Sequence, residues 1–143
     1  MKIDKFENEY SFLSTFYPCT IIYDNNKYPS VEHAFQAAKT KNKQEQFKIW
    51  QAATPGIAKR LGRKVTLRED WEEVKVEVMR EFIHQKFQDK TLKKLLLMTE
   101  DAELIEGNYW HDYFWGTCNG KGLNHLGKIL MEERRRIKNE RGT

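Results

Sequence analysis

"CTIIYDNNKYPSVEHAFQAAKT", residues 19–40, carries two kinds of local order in one run. Its first half reads as a short strand, a polar turn at Asp24-Asn25-Asn26 and a second extended stretch ending at Pro29. From Ser30 the pattern changes. Val31, Ala34, Phe35, Ala37 and Ala38 recur at helical spacing, and Ser30 occupies the N-cap of a helix expected from about Val31 to Thr40. Strand, turn, strand and helix in such a short run place the chain in the α+β class. Glu32, His33 and Gln36 are then conspicuous, being polar residues at the start of an otherwise small and apolar helix. A solvated face is one explanation for them, and a site is the other.

Working outward, helices dominate. One is expected over about Gln44–Ala53. In "TPGIAKRLG" Thr54 is an N-cap, Pro55 sits at N1 and Gly62 stops the helix. "LREDWEEVKVEVMREFIHQKF" (67–87) is the clearest helix. Asp70 is read as its cap and Glu73 as N3, with a stripe of Trp71, Val74, Val78, Met79, Phe82, Ile83 and Phe87. "TLKKLLLMT" and the C-terminal "NHLGKILMEERRR" add two more. The expected fold is α+β, mainly α: a single compact domain over residues 1–143, several helices with a short minor strand component.

Composition narrows the function classes. Of 143 residues, 39% are hydrophobic and 13% aromatic, enough to close a core and too much for a disordered chain. No apolar run approaches the roughly 20 residues that span a bilayer, and Met1-Lys2-Ile3-Asp4 begins no signal peptide. The two cysteines, Cys19 and Cys118, form no paired motif, so a cytoplasmic protein with reduced thiols and no membrane partner is expected. With 25 basic and 21 acidic residues the net charge is +4, a mild attraction for phosphate-bearing ligands. In the tail, Arg134, Arg135, Arg136, Lys138 and Arg141 alternate with Glu132, Glu133 and Glu140, which favours a solvated helix end over a nucleic-acid patch. His33, His84, His111 and His125 show no metal-ligand spacing, and no phosphate-cradling glycine motif is present. A cofactor-independent protein is expected.

"EGNYWHDYFWGTCNGKGLN", residues 106–124, is the irregular stretch: four glycines, three asparagines and five aromatics without periodicity. Its tryptophans, Trp110 and Trp115, either fold back on the core or line a pocket for a flat ligand. Asp112 lies between them, a carboxylate among aromatic rings, which tilts the stretch toward a site.

"YPSVEHAFQAAK", "ATPGIAKRLGR", "LREDW" with Lys75 and Met79, "EGNYWHDYFWG" and "GLNHLGKILM" together resemble the NADAR domain family. The likeness runs from about Phe6 to about Arg136, with the blocks in family order. The resemblance implies hydrolysis of N-glycosidic bonds to ribose. Some bacterial members are linked to phosphorylated riboflavin-biosynthesis intermediates, others to removing ADP-ribose from guanine bases of nucleic acid. It further implies functional positions at Glu32, Trp71 and Asp112, with Trp110 and Trp115. This sequence departs from the family at Thr15, where asparagine is usual, and at Glu100, where glycine is usual.

The chemistry fits those positions. Breaking an N-ribosidic bond builds positive charge at the anomeric carbon, so a nearby carboxylate lowers the barrier and can position or deprotonate water. Glu32 suits that role because a helix N-terminus favours the anion. Asp112 is the second candidate catalytic carboxylate, as acid/base or as a ribose hydroxyl acceptor. Trp71, Trp110 and Trp115 are candidate stacking rings, although Trp71 also begins an apolar stripe. Lys59, Arg60, Arg63 and Arg68 are candidate phosphate ligands, and Asn108 and Gln36 are further candidate substrate-binding residues. A non-catalytic ADP-ribose or nucleotide binder is the alternative, disfavoured because a binder of anions gains little from two pocket carboxylates.

Overall fold

The structure, a computed structural model, describes residues 1–141; Gly142 and Thr143, to which the expected domain extends, lie outside the described residues. In chain order the elements are β1 (Lys2–Ile3), a 3-10 helix (Asn8–Leu13), β2 (Pro18–Tyr23), β3 (Asn26–Ser30), α1 (Val31–Ala38), α2 (Lys43–Trp50), α3 (Pro55–Gly62), α4 (Trp71–Lys86), α5 (Lys90–Leu97), β4 (Glu103–Leu104), β5 (Gly107–Asn108), β6 (Thr117–Cys118) and α6 (His125–Arg141). The fold is α+β and mainly helical. Among the described residues no helix is long and apolar enough to cross a membrane. The chain divides into two units, one of Thr15–Lys86 and one of Met1–Ser14 with the residues from Phe87 onward.

The Thr15–Lys86 unit is organised around α1. Asp24 and Asn25 take φ of 49° and 66°, the two-residue turn whose twist suits a hairpin. Tyr23 then pairs with Asn26 and Ile21 with Tyr28, which turns Ile21 and Tyr28 into the core. Ser30 ends the hairpin and starts the helix, its Oγ accepting from His33 N at 3.1 Å. All eight residues of α1 are buried, under β2, β3, α2, α3 and α4. Ala34, Ala37 and Ala38 are the small side chains that let those neighbours close in.

Local chemistry sets the helix ends. α1 stops at Ala38, short of the expected Thr40, because the Thr40 hydroxyl turns to Glu45 Oε1 at 2.6 Å. Asn42 caps α2, its side chain accepting from Glu45 N at 3.0 Å, and the helix ends at Trp50 rather than Ala53. Thr54 caps α3 as expected, accepting from Ile57 N at 3.1 Å. Asp70 stands where the cap is expected, its carbonyl accepting from Glu73 N at 3.0 Å and Val74 N at 3.1 Å, but its carboxylate is taken by Arg68, with Nε at 2.6 Å and Nη2 at 3.0 Å. On α4, Trp71, Met79, Phe82 and Ile83 are buried as the stripe predicts. Gln85 brackets the edge of β2, accepting from Ile22 N at 2.8 Å and donating to Ile22 O at 3.0 Å, which satisfies a sheet edge.

In the second unit β1 pairs in parallel with β4, and β5 with β6. These two-residue strands are too short to leave a periodicity, and the sequence reading missed them. Helix α6 packs on α5 and β4. Its basic run is less solvated than expected. Arg134 is buried and donates to Thr99 Oγ1 at 2.8 Å and Ala102 O at 2.9 Å. Arg136 pairs with Glu133 and Glu140, and Lys138 with Asp101.

Glu100 sits just past α5 with φ of 54°, its N–H bonded to Leu97 O at 3.0 Å. This left-handed position after a helix favours glycine. Glu100→Gly is expected to hold or raise stability by up to about 1 kcal/mol, through relief of the left-handed strain. Urea denaturation of the two proteins measures it, and a loss of 1 kcal/mol or more would show that the Glu100 side chain itself supports the turn.

Candidate active site

Glu32 occupies the first turn of α1, where the helix dipole favours an anion, and is only 7% exposed. Its N–H donates to Thr15 O at 3.0 Å. Its carboxylate accepts from two side chains: Thr15 Oγ1 donates to Oε1 at 2.8 Å and Gln36 Nε2 donates to Oε2 at 2.6 Å. Each carboxylate oxygen thus has one side-chain donor aimed at it. His33, beside it, has a different use. Its Nε2 donates to Ala52 O at 3.0 Å and its Nδ1 accepts from the Ser30 hydroxyl at 2.7 Å, which makes it a fully engaged core histidine.

Glu32, Gln36 and Lys39 lie at i, i+4 and i+7, on one helix face. Lys39 is half-buried at the C-cap of α1. Burial holds its pKa below the usual lysine range, the attraction of Glu32 partly opposes this, and Arg63, Lys59 and Lys75 push it down further. Those repulsions locate four cations in one neighbourhood with one anion. Lys59 and Arg63 were expected among the phosphate ligands. Lys39 and Lys75 were not, although the i+7 spacing from Glu32 was a legible signal for Lys39. Lys75 also pairs with Glu72. Arg60 is exposed on α3.

Arg68 is engaged by other partners. With Thr40, Asn42 and Asp70 it lines a groove of about 580 Å³, but its guanidinium is committed to Asp70 and, at 3.4 Å, to Ala38 O. Its backbone N–H also donates to Lys39 O at 2.8 Å. It therefore ties the 68–70 segment to the end of α1. Trp71, 6% exposed, packs its ring on Phe35 with centroids 5.0 Å apart, as a core ring does.

The remaining candidates lie in the second unit. Asp112 Oδ1 accepts from Phe114 N at 3.1 Å and Trp115 N at 2.9 Å. Asn108 closes the turn, accepting from Asp112 N at 3.0 Å and donating to Asp112 O at 3.0 Å and Glu106 Oε2 at 3.1 Å. Both residues knit the loop, a use that sequence spacing does not reveal. Gly116 is required there, since a Cβ would fall 1.9 Å from Glu106 O. Trp115 meets Phe114 edge to face at 4.8 Å. Trp110 is 47% exposed against Tyr109. Among the described residues no cluster of three His, Cys, Asp or Glu side chains is suited to hold a metal ion.

The Asp112 turn depends on an acceptor oxygen and not on charge. Asp112→Asn should therefore keep stability close to the parent, whereas Asp112→Ala strands two N–H groups and should cost about 1–3 kcal/mol. Equal losses in urea denaturation would show that the charge matters instead.

Comparison with known proteins agrees with this architecture. The NADAR domain model matches residues 3–138. The chain is 40% identical over 134 residues to N-glycosidase YbiA of Shigella flexneri, covering 91% of this chain and 83% of that protein. It is 41% identical over 137 residues to an N-glycosidase of Nostoc punctiforme, covering 91% of this chain and 87% of the relative. A riboflavin biosynthesis protein of Vibrio vulnificus is 39% identical over 135 residues, 92% of this chain and 36% of that longer protein. The solution structure of Escherichia coli YbiA superposes with a TM-score of 0.84 at 36% identity, covering 98% of this chain and 87% of that one. The chain belongs to the NADAR family.

Proposed function

We propose that this chain is an N-glycosidase that hydrolyses the bond between ribose and a nitrogen base in a small phosphorylated substrate, an intermediate of riboflavin biosynthesis, with no cofactor. The names of its relatives support the reaction and the pathway. The observation that carries the site is Glu32, a nearly buried carboxylate at a helix N-terminus, accepting on both oxygens beside a cluster of cations.

As the ribose–nitrogen bond lengthens, its electron pair leaves with the base and the anomeric carbon becomes cationic. The Glu32 carboxylate stabilises that charge. Water then adds through oxygen, Glu32 accepts its proton, and the departing nitrogen is protonated in turn. Lys39, Lys59, Arg63 and Lys75 hold the phosphate, with Arg60 at the rim. Asp112 and Asn108 shape the loop, and Trp110 and Trp115 present aromatic surface from it. We take the two units as parts of one NADAR domain acting in the cytoplasm, a reading supported by the family match spanning both and by two cysteines held as thiols. A second reading, release of ADP-ribose from guanine in nucleic acid, is favoured by the exposed Tyr109, Trp110 and Tyr113, rings suited to stacking on bases. Assaying base release from both substrate classes separates the two.

Glu32→Gln preserves shape and removes the charge, so turnover should fall about 10²- to 10³-fold, as on loss of one electrostatic group at a transition state, with the fold intact by circular dichroism. Base release within a few-fold of the parent would remove Glu32 from the mechanism.

Lys39 gives a pH signature. Only its ammonium form holds phosphate, and burial lets it lose its proton below the usual lysine range. Binding is therefore strong on the acid side and weakens as pH rises through that lowered value. KM should climb in this alkaline window, and Lys39→Arg, whose charge persists, should flatten the climb. An identical alkaline KM profile in the variant would take Lys39 out of the phosphate site.

A further inference from the structure

We infer that Gln36 is a positioning residue, which aims the Glu32 carboxylate and is itself locked in place by Gly62; this rests on Glu32 being the catalytic carboxylate proposed above. Gln36 is 4% exposed. Its Nε2 donates to Glu32 Oε2 at 2.6 Å, a short charge-assisted bond. A flipped amide would set its carbonyl against the carboxylate, so the ion fixes which end of the amide faces it. The other end, Oε1, is fully buried and has no hydrogen-bond donor among the described residues. A buried acceptor without a donor costs free energy, and a freely turning side chain would relieve it.

Gly62 explains why Gln36 stays. A Cβ at position 62 would stand 1.9 Å from Gln36 Oε1, 2.7 Å from its Cδ and 3.0 Å from its Cβ. The amide is thus pressed against the bare backbone of α3, and any side chain there would occupy its place. Gly62 lies inside helical structure, ending α3, so its role here is space and not a left-handed turn. The sequence reading makes Gly62 a helix stop, and α3 does end there; it makes Gln36 a substrate ligand, and the contacts add a line from α3 through Gln36 to Glu32. Thr15 donates the second hydrogen bond, to the opposite oxygen, so the carboxylate is held at both ends and cannot rotate while it meets the anomeric carbon and the water.

The test uses the whole chain and a phosphorylated N-riboside, with Glu32→Gln as the reference. Gln36→Leu keeps bulk and removes the donor; kcat should fall about 10- to 100-fold while KM stays within about threefold, the pattern of an interaction used in the transition state. In Gly62→Ala the flexible amide yields before the backbone, so kcat should fall in the same way. The double variant Gly62→Ala/Gln36→Ala should lose little more than Gln36→Ala alone, because both act through one group. Gln36→Glu places a like charge against Glu32, and the acid limb of kcat/KM should move to higher pH, as a side chain in direct contact with the catalytic carboxylate requires. An unmoved acid limb in Gln36→Glu, or parental kcat in a folded Gln36→Leu, overturns the inference. If Gln36→Leu does not fold, the pH profile of Gln36→Glu decides. Parental activity in Glu32→Gln is a separate outcome: it overturns the proposed site, and this inference with it.

Discussion

The constraint on which the Thr15–Lys86 unit depends is the burial of α1 on every side. A helix enclosed by a hairpin and three other helices has no solvent face, so each polar side chain on it must find a partner or carry a desolvation cost. His33 meets that demand by joining the end of the hairpin to Ala52. Glu32 meets it with donors from Thr15 and Gln36. Only Gln36 falls short, with one buried oxygen lacking a donor. The unmet group is adjacent to the proposed chemistry, where strain and incomplete satisfaction are expected to collect.

The same enclosure sets the electrostatics. An ion pair in water is weak, and surface cations around a phosphate would be screened. Lys39 is withdrawn from water, which by itself disfavours its charge, and the neighbouring Lys59, Arg63 and Lys75 disfavour it further. Glu32 is the group that opposes them. In the proposed site, four cations and one anion would favour a ligand bearing negative charge, because such a ligand relieves the repulsion among the cations on arrival. Lys86 contrasts with this. It is 1% exposed and lies over the Tyr17 ring at 5.6 Å, with its pKa pushed down to about 8 by burial.

Much of the backbone was legible because it is written in local chemistry. The Asp24-Asn25 turn, Ser30 and Thr54 as caps, and the stripe of α4 each follow from residue type and spacing. The side-chain assignments were harder to read, even where the partner lies within a few residues. Asp70 reads as a cap and its carbonyl serves as one, yet its carboxylate goes to Arg68, two residues away. Asp112 and Asn108 look like site residues in a line of aromatics, and their hydrogen bonds to the backbone of the same loop are invisible in the string. Gln36 and Gly62 are separated by 26 positions in the sequence, and nothing about either residue announces the other. The hydrogen bonds that build caps follow from residue type and spacing; of the two that hold the Glu32 carboxylate, one comes from Gln36 on the same helix and the other from Thr15, outside it.

Thr15 shows how far such an aiming role tolerates change. Where the family resemblance leads one to expect asparagine, this chain has a shorter, β-branched side chain. What Glu32 requires from that position is a donor to Oε1 and a backbone carbonyl for its N–H, and threonine provides both, at 2.8 Å and 3.0 Å. Its branching restricts χ1, so the hydroxyl is delivered with less conformational freedom than an amide on a longer arm. An asparagine amide carries a carbonyl as well, which would then need its own donor in a nearly dry site. Threonine avoids a second stranded acceptor beside the one that Gln36 already leaves. The substitution therefore changes the donor and preserves what the carboxylate experiences, a hydrogen bond on each oxygen and a fixed orientation.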